Sequence, residues 1–320
     1  MEYTLREFTP DPRVPFPTIL MVGKRASGKS TLSAALASMY PNIPKWAAFC
    51  GNASSKKYWA KRFGPCGEAS TYEVKDQDRS SIRSLRRIME FQNQIVKEYE
   101  DVRHEEPPDA YSLGVIFDDV TSKRSLRRSP ELEELFSNGR HLRMLIIVCV
   151  QYLKQLPPAI RTNSDYLMIL YNSKQTLKIL HDEYVQDPSF DTFVQLTEKV
   201  TCATDGKGNP QFCALAYSNC TRANRIDQRF FIFKFPLNFS VDDVVLGSSE
   251  WHNYNKLRFV DRDKEKLQEK YARSLKDERL SKYRERFNDR RKFLSETCII
   301  SHRKNKEPIR IRFNTNPKSI

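Results

Sequence analysis

Eight consecutive residues, Gly23-Lys24-Arg25-Ala26-Ser27-Gly28-Lys29-Ser30, have the types and spacing needed to hold a chain of phosphates. A triphosphate is a dense anion. Glycines at the first and sixth places let backbone N–H groups turn inward around it, and the dipole of a following helix adds favourable field. Lys29 is placed to reach the β- and γ-phosphates, the Ser30 hydroxyl to coordinate Mg²⁺, and Thr31 to add a hydroxyl near the α-phosphate. This loop marks an ATP-binding hydrolytic site.

Three further residues complete a hydrolytic set. Asp118 and Asp119 close the apolar run Leu113–Phe117, where one carboxylate serves the metal and the other the attacking water; Asp118 is assigned to Mg²⁺ and Asp119 to water. Gln151 ends the next apolar run, where its amide can sense the γ-phosphate or hold the water. Arg140, Arg143 and Arg161 lie in polar segments flanking these runs and are candidates to supply a charge to a neighbouring subunit's γ-phosphate, against the ordinary role of arginine as a surface residue. The seven cysteines form no Cys-x-x-Cys pair and the five histidines do not gather near them, so core thiols in a reduced compartment are expected rather than a zinc site.

The elements that must position these groups follow from periodicity. Thr18–Val22 reads as the strand that feeds the loop, and Thr31–Ala37, rich in good helix formers, as the helix that leaves it. Trp46–Cys50 suits a second buried strand with a polar turn, Gly51–Ser55, at its end. Ile82, Leu85, Ile88, Met89, Ile95 and Val96 repeat at helical intervals over about Asp78–His104. Leu113–Phe117 and Met144–Val150 look like central strands buried on both faces. Tyr166–Tyr171, Phe212–Tyr217 and Phe230–Phe235 are expected to finish the sheet, with Asp205–Asn209 as a turn. Alternation of strand and helix predicts an α/β fold of the P-loop NTPase class, with a mostly parallel central sheet flanked by helices.

Three regions are expected: an extended, proline-rich arm over 1–17, an ATPase domain over 18–258, and a basic, largely helical extension over 259–320. The formal net charge is +14, and residues 261–320 carry 19 Lys and Arg against 10 Asp and Glu. Such an excess favours polyanionic partners, and aromatic residues interleaved with the cations of the extension suit phosphate-backbone contact as well as they suit a solvated helix face. No apolar run is long enough to span a bilayer, so the protein is expected not to cross a membrane.

Taken in order, the loop at 23–30, Asn52–Trp59, Phe117-Asp118-Asp119-Val120, Gly139-Arg140-His141-Leu142, Gln151-Tyr152-Leu153 and Leu156–Tyr166 resemble the DNA-packaging ATPases of poxviruses and giant viruses, within the FtsK/HerA superfamily. The resemblance covers about residues 15–240 and not the extension. It implies a homo-oligomeric ring, a hexamer, that couples ATP hydrolysis to pulling double-stranded DNA into a capsid. It further implies partners among viral capsid or membrane-associated assembly proteins, and a place in the cytoplasm of the infected cell and in the virion. It implies an arginine finger acting in trans, for which Arg140 is the candidate and Arg161 the reserve. The superfamily's acidic pair commonly ends in Glu, whereas here the second carboxylate is the shorter Asp119. A nucleotide-dependent switch or adaptor that binds ATP and a protein partner, without moving DNA, is the alternative from another class.

Overall fold

The computed structural model describes residues 4–64, 67–120, 122–204, 212–221, 225–235 and 243–258. The predicted turn at Asp205–Asn209 and the extension at 259–320 lie outside these residues.

Among the described residues nine strands form one sheet: β1 (Arg6–Glu7), β2 (Thr18–Val22), β3 (Lys45–Cys50), β4 (Thr71–Glu73), β5 (Leu113–Asp118), β6 (Met144–Val150), β7 (Tyr166–Ile169), β8 (Cys213–Ser218) and β9 (Phe230–Lys234). Their spatial order is β1-β9-β8-β7-β2-β6-β5-β3-β4. Pairing is parallel throughout except where β8 meets β7 and β9. The sheet is therefore mostly parallel, as the alternating pattern predicts.

Ten α-helices occur among the described residues, nine of them preceding or joining strands and α10 following β9: α1 (Lys29–Ser38), α2 (Ala53–Arg62), α3 (Ser80–Lys97), α4 (Arg124–Arg127), α5 (Pro130–Asn138), α6 (Pro158–Thr162), α7 (Lys174–Leu180), α8 (Phe190–Thr201), α9 (Ile226–Arg229) and α10 (Ser249–Arg258). The period of two along a strand sends successive side chains to opposite faces. Leu20, Val22, Val115, Phe117, Ile146, Val148 and Val150 join one core with residues of α3, α5, α7 and α8. Ile19, Met21, Ile116, Leu145, Ile147 and Cys149 join a second core with Leu32, Ala35 and Leu36 of α1 and with Trp59 of α2. Covering both faces is why the central strands read as unbroken apolar runs.

The arm is tied down rather than free. Arg6 and Glu7 pair with Phe231 and Ile232 at the sheet edge, and Phe8 and Phe16 are buried. The polar stretch Gly51–Ser55, read as a turn, carries the first residues of α2: the Asn52 side chain accepts a hydrogen bond from the Ser55 N–H at 2.9 Å and caps the helix.

Candidate nucleotide-hydrolysing site

The loop after β2 is fastened to both neighbouring strands. The Gly23 N–H donates to the Val150 carbonyl at 3.1 Å and the Lys24 N–H to the Tyr171 carbonyl at 3.2 Å. Ser27 then bends the chain back, its N–H and hydroxyl both donating to the Lys24 carbonyl, at 3.3 and 2.8 Å. Gly28, at φ 85°, occupies the left-handed region that a side chain disfavours, and a Cβ there would lie 2.7 Å from the Phe212 ring. Gly28 is also the N-cap of α1, and neither a side-chain cap nor an acidic residue serves the first turn. The helix's leading N–H groups are thus left with a positive field and no anionic partner of their own.

Lys29 lies across this loop with 9% exposure, its ammonium donating to the Gly23 and Lys24 carbonyls at 2.8 and 2.7 Å. Burial pushes its pKa below the usual amine value. A buried ammonium whose hydrogen-bond partners are neutral carbonyls gains strongly from phosphate oxygens brought to the same place. Ser30 and Thr31 follow on the first turn of α1. The Tyr58 hydroxyl donates to the Ser30 carbonyl at 3.1 Å. Lys24, Arg25 and Ala26 form the exposed outer arc of the loop.

Strand order brings the acids to the same end of the sheet. β6 lies between β2 and β5, so Gln151 falls between the phosphate loop and the acidic pair. Asp118, at the end of β5 and 2% exposed, accepts on one carboxylate oxygen from the Ser30 hydroxyl and from the Trp59 indole N–H, both at 2.9 Å. Burial pushes the Asp118 pKa up; the Trp59 and Ser30 hydrogen bonds pull the other way, Asp119 adds to the rise and Lys29 opposes it. Asp119 turns off the strand at φ 58° and accepts from the Gln151 side-chain amide at 2.9 Å. That turn is pressed against Gly51, where a Cβ would meet the Asp119 carbonyl oxygen at 2.1 Å.

The donors fit a Mg²⁺ ion. Ser30 and Asp118 are hard oxygen ligands already in contact, and Mg²⁺ is commonly held by one or two such groups with substrate phosphates and water completing the shell. Among the described residues no three His, Cys, Asp or Glu side chains gather into a metal cluster, so phosphate oxygens and water would have to supply the remaining ligands.

The arginines occupy the other end of the sheet. Arg140 forms an ion pair with Asp165, whose second carboxylate oxygen accepts from the N–H of Thr18, the first residue of β2, at 2.8 Å. A five-residue strand, roughly 17 Å, separates that point from the loop, so Arg140 does not reach the loop of its own chain. Its side chain remains 54% exposed. Arg143 pairs with Asp109 at 2.7 Å, and Arg161, in the helix leading into β7, pairs with Glu183. None of the three joins Lys29, Asp118 and Gln151 within one subunit.

Residues 79–187 match the family model described as Poxvirus A32 protein. The chain is similar to the poxvirus A32 proteins. The A32-like segment contains α3, the Asp118–Asp119 pair, Arg140, Gln151 and Arg161. Relatives that match about three quarters of the chain are viral proteins too. "Uncharacterized protein 088R" of Invertebrate iridescent virus 3 is 28% identical over 251 residues, 76% of this chain and 85% of that protein. "Uncharacterized protein L437" of Acanthamoeba polyphaga mimivirus is 26% identical over 235 residues, 73% and 78% of the two. Among solved structures, the genome packaging NTPase B204 from Sulfolobus turreted icosahedral virus 2 superposes with a TM-score of 0.46 at 15% identity, covering 70% of this chain and 98% of that one. EssC (ATPases 2 and 3) from Geobacillus thermodenitrificans superposes with a TM-score of 0.47 at 15% identity, covering 76% and 44%.

Four residues of the site carry no role that the sequence reveals. Trp59 and Gly51 act through contacts with the acidic pair, across a distance in sequence that no local pattern signals. Tyr171 and Phe212, 50% and 47% exposed, flank the loop: the Lys24 ammonium lies 4.8 Å from the Tyr171 ring centre, and Phe212 covers Gly28. Large exposed aromatic rings beside a phosphate loop were the available signal, but exposure is not visible in a strand-like run.

Proposed function

We propose that this chain is an ATP-hydrolysing motor that moves double-stranded viral DNA into a capsid, working as a homo-oligomeric ring. The observation that carries the enzymatic part is the convergence of Lys29, Ser30, Asp118, Asp119 and Gln151 at one end of the sheet, linked by the Ser30–Asp118 and Gln151–Asp119 hydrogen bonds. The packaging part is supported by the resemblance to poxvirus A32 proteins over residues 79–187.

In this reading the loop N–H groups and Lys29 hold the triphosphate, the ammonium exchanging two carbonyl partners for phosphate oxygens. Tyr171 and Phe212 are placed to stack against the base. Ser30 and Asp118 would hold a Mg²⁺ ion together with phosphate oxygens, and the ion would supply charge to offset what builds on the leaving phosphate. Gln151 holds Asp119, and Asp119 takes a proton from the attacking water as the water oxygen bonds to the γ-phosphorus and the bond to the β-phosphate oxygen breaks. Arg140 serves the γ-phosphate of the neighbouring subunit, leaving Asp165 when the ring closes. Assembly proteins of the capsid or its membrane receive the ring in the cytoplasm of the infected cell.

The test is steady-state ATP hydrolysis with and without long double-stranded DNA, beside Lys29→Ala and Asp119→Asn. Several-fold stimulation by DNA that both substitutions abolish is expected. Lys29-dependent hydrolysis that DNA leaves unchanged would favour a nucleotide switch, and undiminished turnover in Lys29→Ala would remove the loop from the mechanism.

A further inference from the structure

From the placement of its unpaired cations, we infer that the surface formed by the start of α3 and by α4 is a binding site for the phosphate backbone of double-stranded DNA; this rests on the motor reading above. The two segments are far apart in sequence but packed together. The Ser125 N–H of α4 donates to the Asp76 carboxylate at 3.1 Å, and the Lys75–Asp78 turn that leads into α3 is closed by an isolated bridge. Segments 75–87 and 123–131 together hold nine Lys and Arg against three Asp and Glu.

Those acids are already engaged. Asp76 accepts from Ser125, Asp78 from the Ser80 N–H and hydroxyl, and Glu131 is ion-paired with Arg86. Lys75, Arg79, Arg83, Arg124, Arg127 and Arg128, by contrast, form no ion pair with a described residue. Local structure explains their orientation. Leu126 is fully buried, which anchors α4 by one side and leaves Arg124 and Arg128 exposed one turn apart, about 5–6 Å between neighbours. Arg79 and Arg83 repeat that spacing at the start of α3, where Ile82 and Leu85 point into the core.

So many like charges held together cost the fold stability unless a polyanion meets them. A duplex backbone matches the pattern better than a single small anion, because the cations are spread over two elements instead of converging on a point. The patch also begins only four residues after Asp119, since the Lys123 N–H closes a turn on the Val120 carbonyl at 2.8 Å.

The experiment is binding of the full chain to a dye-labelled 40-base-pair duplex, followed by fluorescence anisotropy across a salt series. Arg124→Gln/Arg128→Gln, both exposed positions, is compared with Arg124→Lys/Arg128→Lys and with Arg79→Gln/Arg83→Gln; unchanged thermal melting confirms folding. Each Gln pair is expected to lower the slope of log K against log salt by about 2, since each phosphate that a cation neutralises adds roughly 0.9 to that slope, and to weaken duplexes of different sequence alike. The Lys pair is expected to keep the wild-type slope. Wild-type slope and affinity in both Gln pairs, with the wild type binding tightly, would overturn the inference and leave the motor reading standing. A wild-type chain that fails to bind duplex even at low salt would overturn both.

Discussion

The Trp59–Asp118 hydrogen bond offers a direct measure of how the carboxylate proposed to bind the metal is held. Trp59 is fully buried and its indole N–H meets the Asp118 carboxylate at 2.9 Å. Trp59→Phe removes that donor while keeping an aromatic ring, so its cost has two parts, a packing loss and a hydrogen-bond loss. A double-mutant cycle with Asp118→Asn separates them. A hydrogen bond to a charged group contributes about 1.5–3 kcal/mol and a neutral one about 0.5–1.5, so replacing the carboxylate by an amide leaves a coupling of about 1 kcal/mol. Urea denaturation of the ligand-free protein at pH 8 reads it out, provided all four proteins unfold in two states. The pH dependence has a defined sign. The indole favours the ionised form, so coupling is full above the folded pKa of Asp118 and fades as pH falls through it. Because burial raises that pKa, the fading begins above the ordinary carboxylate range. A coupling below about 0.3 kcal/mol at pH 8, on a scale where additive sites agree within a few tenths, would refute the claim that the indole holds the charge.

Asp118→Asn alone is expected to stabilise the ligand-free protein at neutral pH while abolishing Mg²⁺-dependent hydrolysis. With its folded pKa raised, this group's contribution to stability is full below the unfolded pKa and lost as pH rises through the folded one, and urea midpoints at pH 5 and 8 check the sign. Gly51→Ala places a methyl 2.1 Å from the Asp119 carbonyl, so the turn carrying Asp119 must move; kcat is expected to fall at least tenfold, with stability falling by about 1–3 kcal/mol in the same denaturation assay. Arg140→Ala is expected to lose activity alone and to regain part of it when mixed with Lys29→Ala subunits, since each supplies what the other lacks; no recovery on mixing would count against action in trans.

The fold was legible where a signal was local. The loop at 23–30, the runs at Thr18–Val22 and Met144–Val150, and the long helical period from Ile82 to Val96 each reveal their element within a dozen residues, and the strands carry Asp118 and Gln151 to their ends without further information. What was not legible depended on contacts across the sheet. α2 has only Trp59 and Arg62 buried, too sparse a stripe to show a period, so its start read as a turn. The three-residue β4 is too short for alternation to appear. The arm's prolines signalled extension but not that Arg6 and Glu7 would find β9, a partner more than 220 residues away. Trp59 and Gly51 belong to the same class: each matters because of what folding brings to it.

Both margins of the sheet end in very short strands, two residues in β1 and three in β4. An unpaired strand edge invites another chain to continue it, and brevity at an edge removes most of that template. In the ring proposed above, neighbouring subunits would therefore have little backbone to zip together and would adhere through side chains. Such a seam could slide or open by an ångström at a time without breaking a ladder of hydrogen bonds, which is the kind of joint that the proposed cycles of firing around a ring would demand.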